Sequence, residues 1–164
     1  MRANKGRFFC AYSVKKEDGI EKTKSDGEVL AEIYRNAQLA LQSISDILPE
    51  IDDVGIKEEV MREHEEYEHI SGRAAQLAQK FNMEIKEPSP VKKAMMWSAI
   101  KMNTVADNSS QHIAQMMIKG TVTGITSLKT TLTDAGEMDG EIRELLTQLI
   151  ALEEGFERRL KKFL

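Results

Sequence analysis

Between Ala94 and Leu128 the chain carries three charges in 35 residues, Lys101, Asp107 and Lys119, although 30% of the whole sequence is charged. A helix of that composition has no fully solvated face and must be covered on more than one side. The same stretch holds Met95, Met96, Met102, Met116 and Met117, five of the nine methionines, together with the only tryptophan, Trp97. It also carries Gly120 and Gly124, one helical turn apart, a spacing that predicts close helix approach. The rest of the chain has to be arranged around this stretch.

Four segments show helical periodicity. Leu30, Ile33, Ala37, Ala40, Ile44 and Ile47 recur at spacings of three and four, after the cap candidates Ser25 and Asp26 and before Pro49. Ile56, Val60, Tyr67, Ile70, Ala74, Leu77 and Phe81 form the stripe of a second helix, and the short turn at Pro49–Asp53 makes the two a hairpin. Pro88 and Pro90 forbid helix in the connection that follows. An unbroken helix from Val91 to Thr133 would outrun its partners, so a break is expected at Lys101–Thr104, with a short crossing helix over 91–101 and a long helix from Asn103 or Thr104 to Leu132. Asp134-Ala135-Gly136 closes that helix. The last helix begins near Asp139 and presents Ile142, Leu146, Leu149, Phe156, Leu160 and Phe163 on one face.

The expected class is therefore all-α: a ferritin-like four-helix bundle with a crossing segment between helices 2 and 3, because two hairpins joined by a long crossover form that arrangement. Residues 1–27 carry a charge of +3 and are expected to be a basic, poorly ordered arm, and residues 28–164 carry −7 and form the domain. An acidic body without a Lys/Arg stripe argues against nucleic-acid binding. No stretch approaches the ~20 apolar residues of a membrane span. The lone Cys10 excludes an intrachain disulfide, and the apolar run Phe8–Val14 is followed by charges rather than a small-residue cleavage site, so a cytoplasmic location is expected.

The features Tyr34-Arg35-Asn36-Ala37-Gln38, the Glu-rich second helix with Tyr67, the Pro-then-Trp97 crossing segment, Lys119-Gly120 and the ending Leu160-Lys161-Lys162-Phe163-Leu164 resemble small bacterial ferritin-like domains of unknown function and, more distantly, rubrerythrin-like proteins. The resemblance spans about residues 28–164. It implies a dinuclear iron or manganese centre built from a Glu on each of two helices and a Glu-x-x-His on each of the other two. This chain departs from that set. The helix 1 position falls near Gln38, the helix 3 position near Thr121, and the last helix offers Glu154-Gly155-Phe156-Glu157. Only Glu66-Tyr67-Glu68-His69 reads as a literal Glu-x-x-His, and it sits at the edge of the apolar stripe.

The metal-ligand candidates are Glu66, His69, Asp107, His112 and Glu153. Glu153 falls within the series Leu146, Leu149, Glu153, Phe156, Leu160, so it is expected to point inward and to need a partner or a raised pKa. Together with Asp107, His112 and one of Glu63, His64 or Glu66 it forms either a reduced metal site or a structural polar network. The expectation is a binding or structural module with an incomplete di-metal site and no required cofactor. The alternatives are a di-iron or di-manganese carboxylate oxidoreductase or storage protein with non-standard ligands, and a carrier with a Met-lined pocket. No motif fixes a reaction. Excess apolar surface near Met95, Trp97, Met116 and Met117 predicts a homodimer through the charge-poor stretch.

Overall fold

A computed structural model describes residues 23–164, which form five α-helices and no strand. The first, α1, runs Asp26–Ile47 and starts in a capping box: the Ser25 hydroxyl accepts the Glu28 amide and the Glu28 carboxylate accepts the Ser25 amide. A single 3₁₀ turn, Leu48–Glu50, places Pro49 where its missing N–H costs nothing, and Asp53 then caps α2, Val54–Lys80. Beyond α2 the chain turns through Asn82, whose φ of 52° is left-handed, and runs extended to Ser89. Ser89 caps α3, Pro90–Ala106; Ser109 caps α4, Ser110–Asp134; Asp139 caps α5, Gly140–Leu160.

The break in the charge-poor stretch lies at Asp107–Ser109, not at Lys101–Thr104 as the sequence suggested. The polar residues at 103 and 104 are absorbed inside α3, where Asn103 Nδ2 donates to the Ala99 carbonyl at 2.7 Å and Thr104 Oγ1 to the Ile100 carbonyl at 3.0 Å. The turn is formed instead by Asp107, whose Oδ1 accepts the Ser109 amide at 2.8 Å, and by Ser109, whose hydroxyl accepts the His112 amide. α3 therefore has 17 residues rather than eleven.

Contacts at the helix ends set the directions. α2 returns along α1, and α3 runs parallel to α1, since Tyr34 meets Glu87, Ser43 meets Met96 and Glu50 meets Lys101. α4 runs antiparallel to α1: Asn108 reaches Asp52 at one end, and Ser127 reaches Glu32 near the other. α5 packs on both α4 and α2, with Lys80 meeting Glu141 and Arg159 meeting Glu59. At one end of the molecule the Lys24 amide donates to the Asp134 carbonyl at 3.0 Å and its Nζ to Thr131 Oγ1 at 2.7 Å. The packed part of the chain thus begins before residue 28; the expectation of a poorly ordered arm falls, through residue 22, outside the described residues.

The core is the set of inward rows read from the sequence. Leu30, Ile33, Ala37, Ile44 and Ile47 of α1 pack against Ile56, Val60, Tyr67 and Ala74 of α2 and Leu145, Leu146, Leu149 and Phe156 of α5, all nearly or fully buried. No helix among the described residues is long and apolar enough to cross a membrane.

The two glycines of α4 differ in role. A Cβ on Gly120 would meet nothing within 4 Å, whereas one on Gly124 would lie 2.8 Å from Glu153 Oε2 and 3.1 Å from its Oε1. Only Gly124 marks a close approach, which corrects the expectation for Gly120. Gly120→Ala should therefore stabilise the fold by about 0.5–1 kcal/mol through helix propensity. Gly124→Ala should destabilise it by about 1–2 kcal/mol, because the Glu153 carboxyl must move. Urea unfolding of both variants checks this, and equal effects would contradict it.

Candidate functional site

The inner row of α2 runs Ile56, Val60, Glu63, Tyr67, Ile70, Ala74, Leu77, and Glu63 is its one charged member, fully buried. The inner row of α5 contains Glu153, 2% exposed, between Leu149 and Phe156. A single guanidinium serves this region. Arg159 places Nη2 2.5 Å from Glu63 Oε2 and Nε 2.9 Å from Glu59 Oε2, while Glu63 Oε1 has no hydrogen-bond partner among the described residues. Glu59 also meets Arg62 at 3.2 Å. The Tyr67 hydroxyl donates to the Glu153 carboxyl.

Moving a carboxylate out of water disfavours its charged form, so both acids are shifted upward. Burial raises the Glu63 pKa, and the nearby Glu153 adds to the rise, while Arg159 opposes it. Burial pushes Glu153 up to about 7, with the Tyr67 hydrogen bond pulling the other way. The Tyr67 hydroxyl is itself raised well above its ordinary value, first by burial and then by the two carboxyls. Burial thus favours the protonated form of both acids, and the one guanidinium that enters the interior meets Glu63 alone of the two.

Beside this cluster lies a half-enclosed cavity of about 540 Å³ between α1, α3 and α4. Leu39, Ala40 and Ile44 of α1, Met96 and Ile100 of α3, and Met116 and Met117 of α4 line its walls; Tyr67, Glu153 and Phe156 line it from α2 and α5. The size falls in the range of small-molecule sites, and the mostly apolar wall with a few convergent polar groups has their character. Gly120, Thr121 and Gly124 keep the α4 side shallow, because none of them carries a bulky side chain.

Of the five ligand candidates, only Glu153 lies in the interior. Glu66 and His69 are exposed on α2. Asp107 sits in the turn before α4, where the Ser109 backbone and hydroxyl hold its pKa below the ordinary carboxylate range. His112 Nδ1 lies 3.9 Å from Asp107 Oδ2, so those two are neighbours at the turn, and the His112 Nε2 is buried with no hydrogen-bond partner among the described residues. His64 pairs loosely with Glu68 at 3.9 Å. The residue that joins Glu153 in the interior is Glu63, one of three options on α2 at the sequence level.

The donor set does not fit a dinuclear metal centre. Gln38, at the helix 1 position, donates its amide to Ser71 Oγ at 2.7 Å, and Thr121 stands at the α4 position with no carboxylate. Among the described residues no three His, Cys, Asp or Glu side chains gather in a group that could hold a metal ion. No protein-family model matches the chain, and no curated protein or solved structure matches it significantly.

The buried acids make a linkage prediction. Their folded pKa values are raised, so the native state holds a proton that the unfolded chain releases at lower pH; stability is full below the unfolded value of 4.5 and is lost as pH rises through about 7. Urea unfolding at pH 5.5 and 8.5 should show this fall, and Glu153→Gln should remove on the order of 2 kcal/mol of it. A variant with the same pH slope as the parent would contradict the assignment.

Proposed function

We propose that this chain is a ferritin-like helical module whose interior binds a small, largely apolar molecule instead of a pair of metal ions. In this reading α1, α2, α4 and α5 are the four helices, and α3 with the extended 81–89 connection is the crossing segment. Support for the layout comes from the hairpin of α1 and α2, the hairpin of α4 and α5, and the long connection between them. Support for the function comes from one observation above all: an apolar cavity of about 540 Å³ reaches a buried carboxyl, Glu153. The departure of Gln38 and Thr121 from a carboxylate ligand set argues against the oxidoreductase and storage alternatives.

The neutral fluorophore N-phenyl-1-naphthylamine tests this directly. It should bind saturably, one per chain, with Kd on the order of 10 μM. Gly120→Phe, which directs a ring into the open space beside the cavity, should abolish that binding while the far-ultraviolet circular dichroism stays unchanged. Unsaturable binding, or two equivalents of iron or manganese per chain in protein purified without chelator, would overturn the reading.

A second copy of the chain is the proposed partner, through α3. Val91, Met95, Ser98, Met102 and Val105 are all exposed and follow one another at alternating steps of four and three, the spacing of a two-helix seam. Half-exposed Trp97 flanks that row. Lys93 and Lys101, which border it, are already paired with Glu87 and Glu50 of the same chain, so two copies of this face meet without unpaired like charges from those lysines. Met116 and Met117 belong to the cavity wall, which leaves the seam to Met95 and its neighbours on α3. Analytical ultracentrifugation at micromolar concentration should show a dimer that Met102→Glu converts to the 18.5 kDa monomer. A monomeric parent protein would contradict it.

A further inference from the structure

The cavity has an acid at its inner end and no base to balance it. From α2 it is met by Tyr67, with Glu63 just behind; from α5 by Glu153, with Arg159 committed to Glu59 and Glu63. From α1 come Glu32 and Arg35, which pair with each other at 2.6 Å, and from α3 comes Lys92, exposed; α4 contributes glycines, threonines, a serine and methionines and no charge. No cationic side chain among the described residues reaches Glu153, whose one polar partner is the Tyr67 hydroxyl. Glu153 is 2% exposed as a residue, yet it lines the cavity. An enclosed carboxylate at the end of an apolar slot gains a charge-assisted hydrogen bond from an incoming N–H donor that water cannot replace there.

We propose that the cavity takes an organic ammonium ion: a primary or secondary amine on a hydrophobic body, its nitrogen seated against the Glu153 carboxyl and its apolar part against Phe156, Met96 and Ile44. This rests on the reading of the cavity as a binding site and adds the charge of its ligand. The ammonium supplies the positive charge that Arg159 does not bring to Glu153, and the Glu153 carboxyl then gives up its proton to solvent. The vacant acceptor on Glu63 Oε1 marks the same excess of acid over base one helical turn from Tyr67. Electrostatic complementarity of this kind selects among molecules of equal shape.

Two probes of nearly equal size separate the inference from the reading beneath it: 1-naphthylmethylamine, cationic at neutral pH, and 1-naphthalenemethanol, neutral. Isothermal titration calorimetry at pH 7 should show the amine binding at least about tenfold more tightly than the alcohol. Titration in buffers of different ionisation enthalpy should show proton release with the amine and none with the alcohol. Glu153→Gln should reduce the amine to the affinity of the alcohol and leave the alcohol unchanged. Equal binding of both probes, or an amine affinity untouched by Glu153→Gln, would overturn the ammonium inference and leave the cavity reading standing. Binding of neither probe would overturn both. The wild-type comparison and the proton release need no variant, so a poorly folded Glu153→Gln does not blunt the test.

Discussion

Two carboxyls buried on facing helices, with a guanidinium that reaches only one of them, are the constraint around which the interior of this molecule is arranged. Glu63 and Glu153 occupy inward positions that a leucine would otherwise fill, and both residues are buried. Leaving a buried charge unpaired costs several kcal/mol, so the neighbours are fixed by the need to satisfy or neutralise it. Arg159 crosses from α5 to α2 to meet Glu63 and Glu59, which ties the end of one helix to the beginning of the other. Tyr67 must point its hydroxyl at Glu153, and α4 must present a glycine at 124, because a Cβ there would lie 2.8 Å from a carboxyl oxygen.

The shortage of charge from Ala94 to Leu128 serves two surfaces. On α4 it builds the cavity wall, where Met116, Met117 and the small residues Gly120, Thr121 and Gly124 leave space in front of Glu153. On α3 it leaves one row, Ile100 and Thr104, buried and the opposite row, Met95, Met102 and Val105, in solvent. A helix apolar on both sides has no stable orientation on a monomer surface unless something covers the second side. The space in front of Glu153 and the exposed apolar row of α3 thus come from one compositional bias, and the break at Asp107–Ser109 separates the helix that bears that row from the helix that bears most of the cavity's small residues.

Much of this was legible in the amino-acid order, and the exceptions have physical causes. Helix starts at Ser25 and Asp139, the stop at Pro49 and the inward rows of α1, α2 and α5 follow from capping chemistry and a 3.6-residue period. Glu153 could be placed inside because it completes an otherwise apolar row. Glu63 completes the α2 row in the same way, between Val60 and Tyr67, but a glutamate among six on one helix reads as part of the solvated face until its position in the row is counted. Asn103 and Thr104 have the side chains of caps, yet they bond back to carbonyls four residues earlier and stay in the helix, so the break falls later than their identity suggests. Which of two glycines marks the close approach, and that a cavity stands before Glu153, depend on how α4 is rotated about its axis. Sequence periodicity does not set that rotation when a helix is apolar on every side.

The protonation state of the buried acids is central, since a carboxyl that holds its proton at neutral pH is what makes the cavity floor an acid without a base. Carbon-detected NMR of the glutamate side-chain carboxyls, titrated from pH 4 to 9, observes it directly. A glutamate carboxyl should titrate at about 7, and its resonance should be absent from Glu153→Gln. Glutamate carboxyls that all titrate in the ordinary range near 4.5 would contradict it.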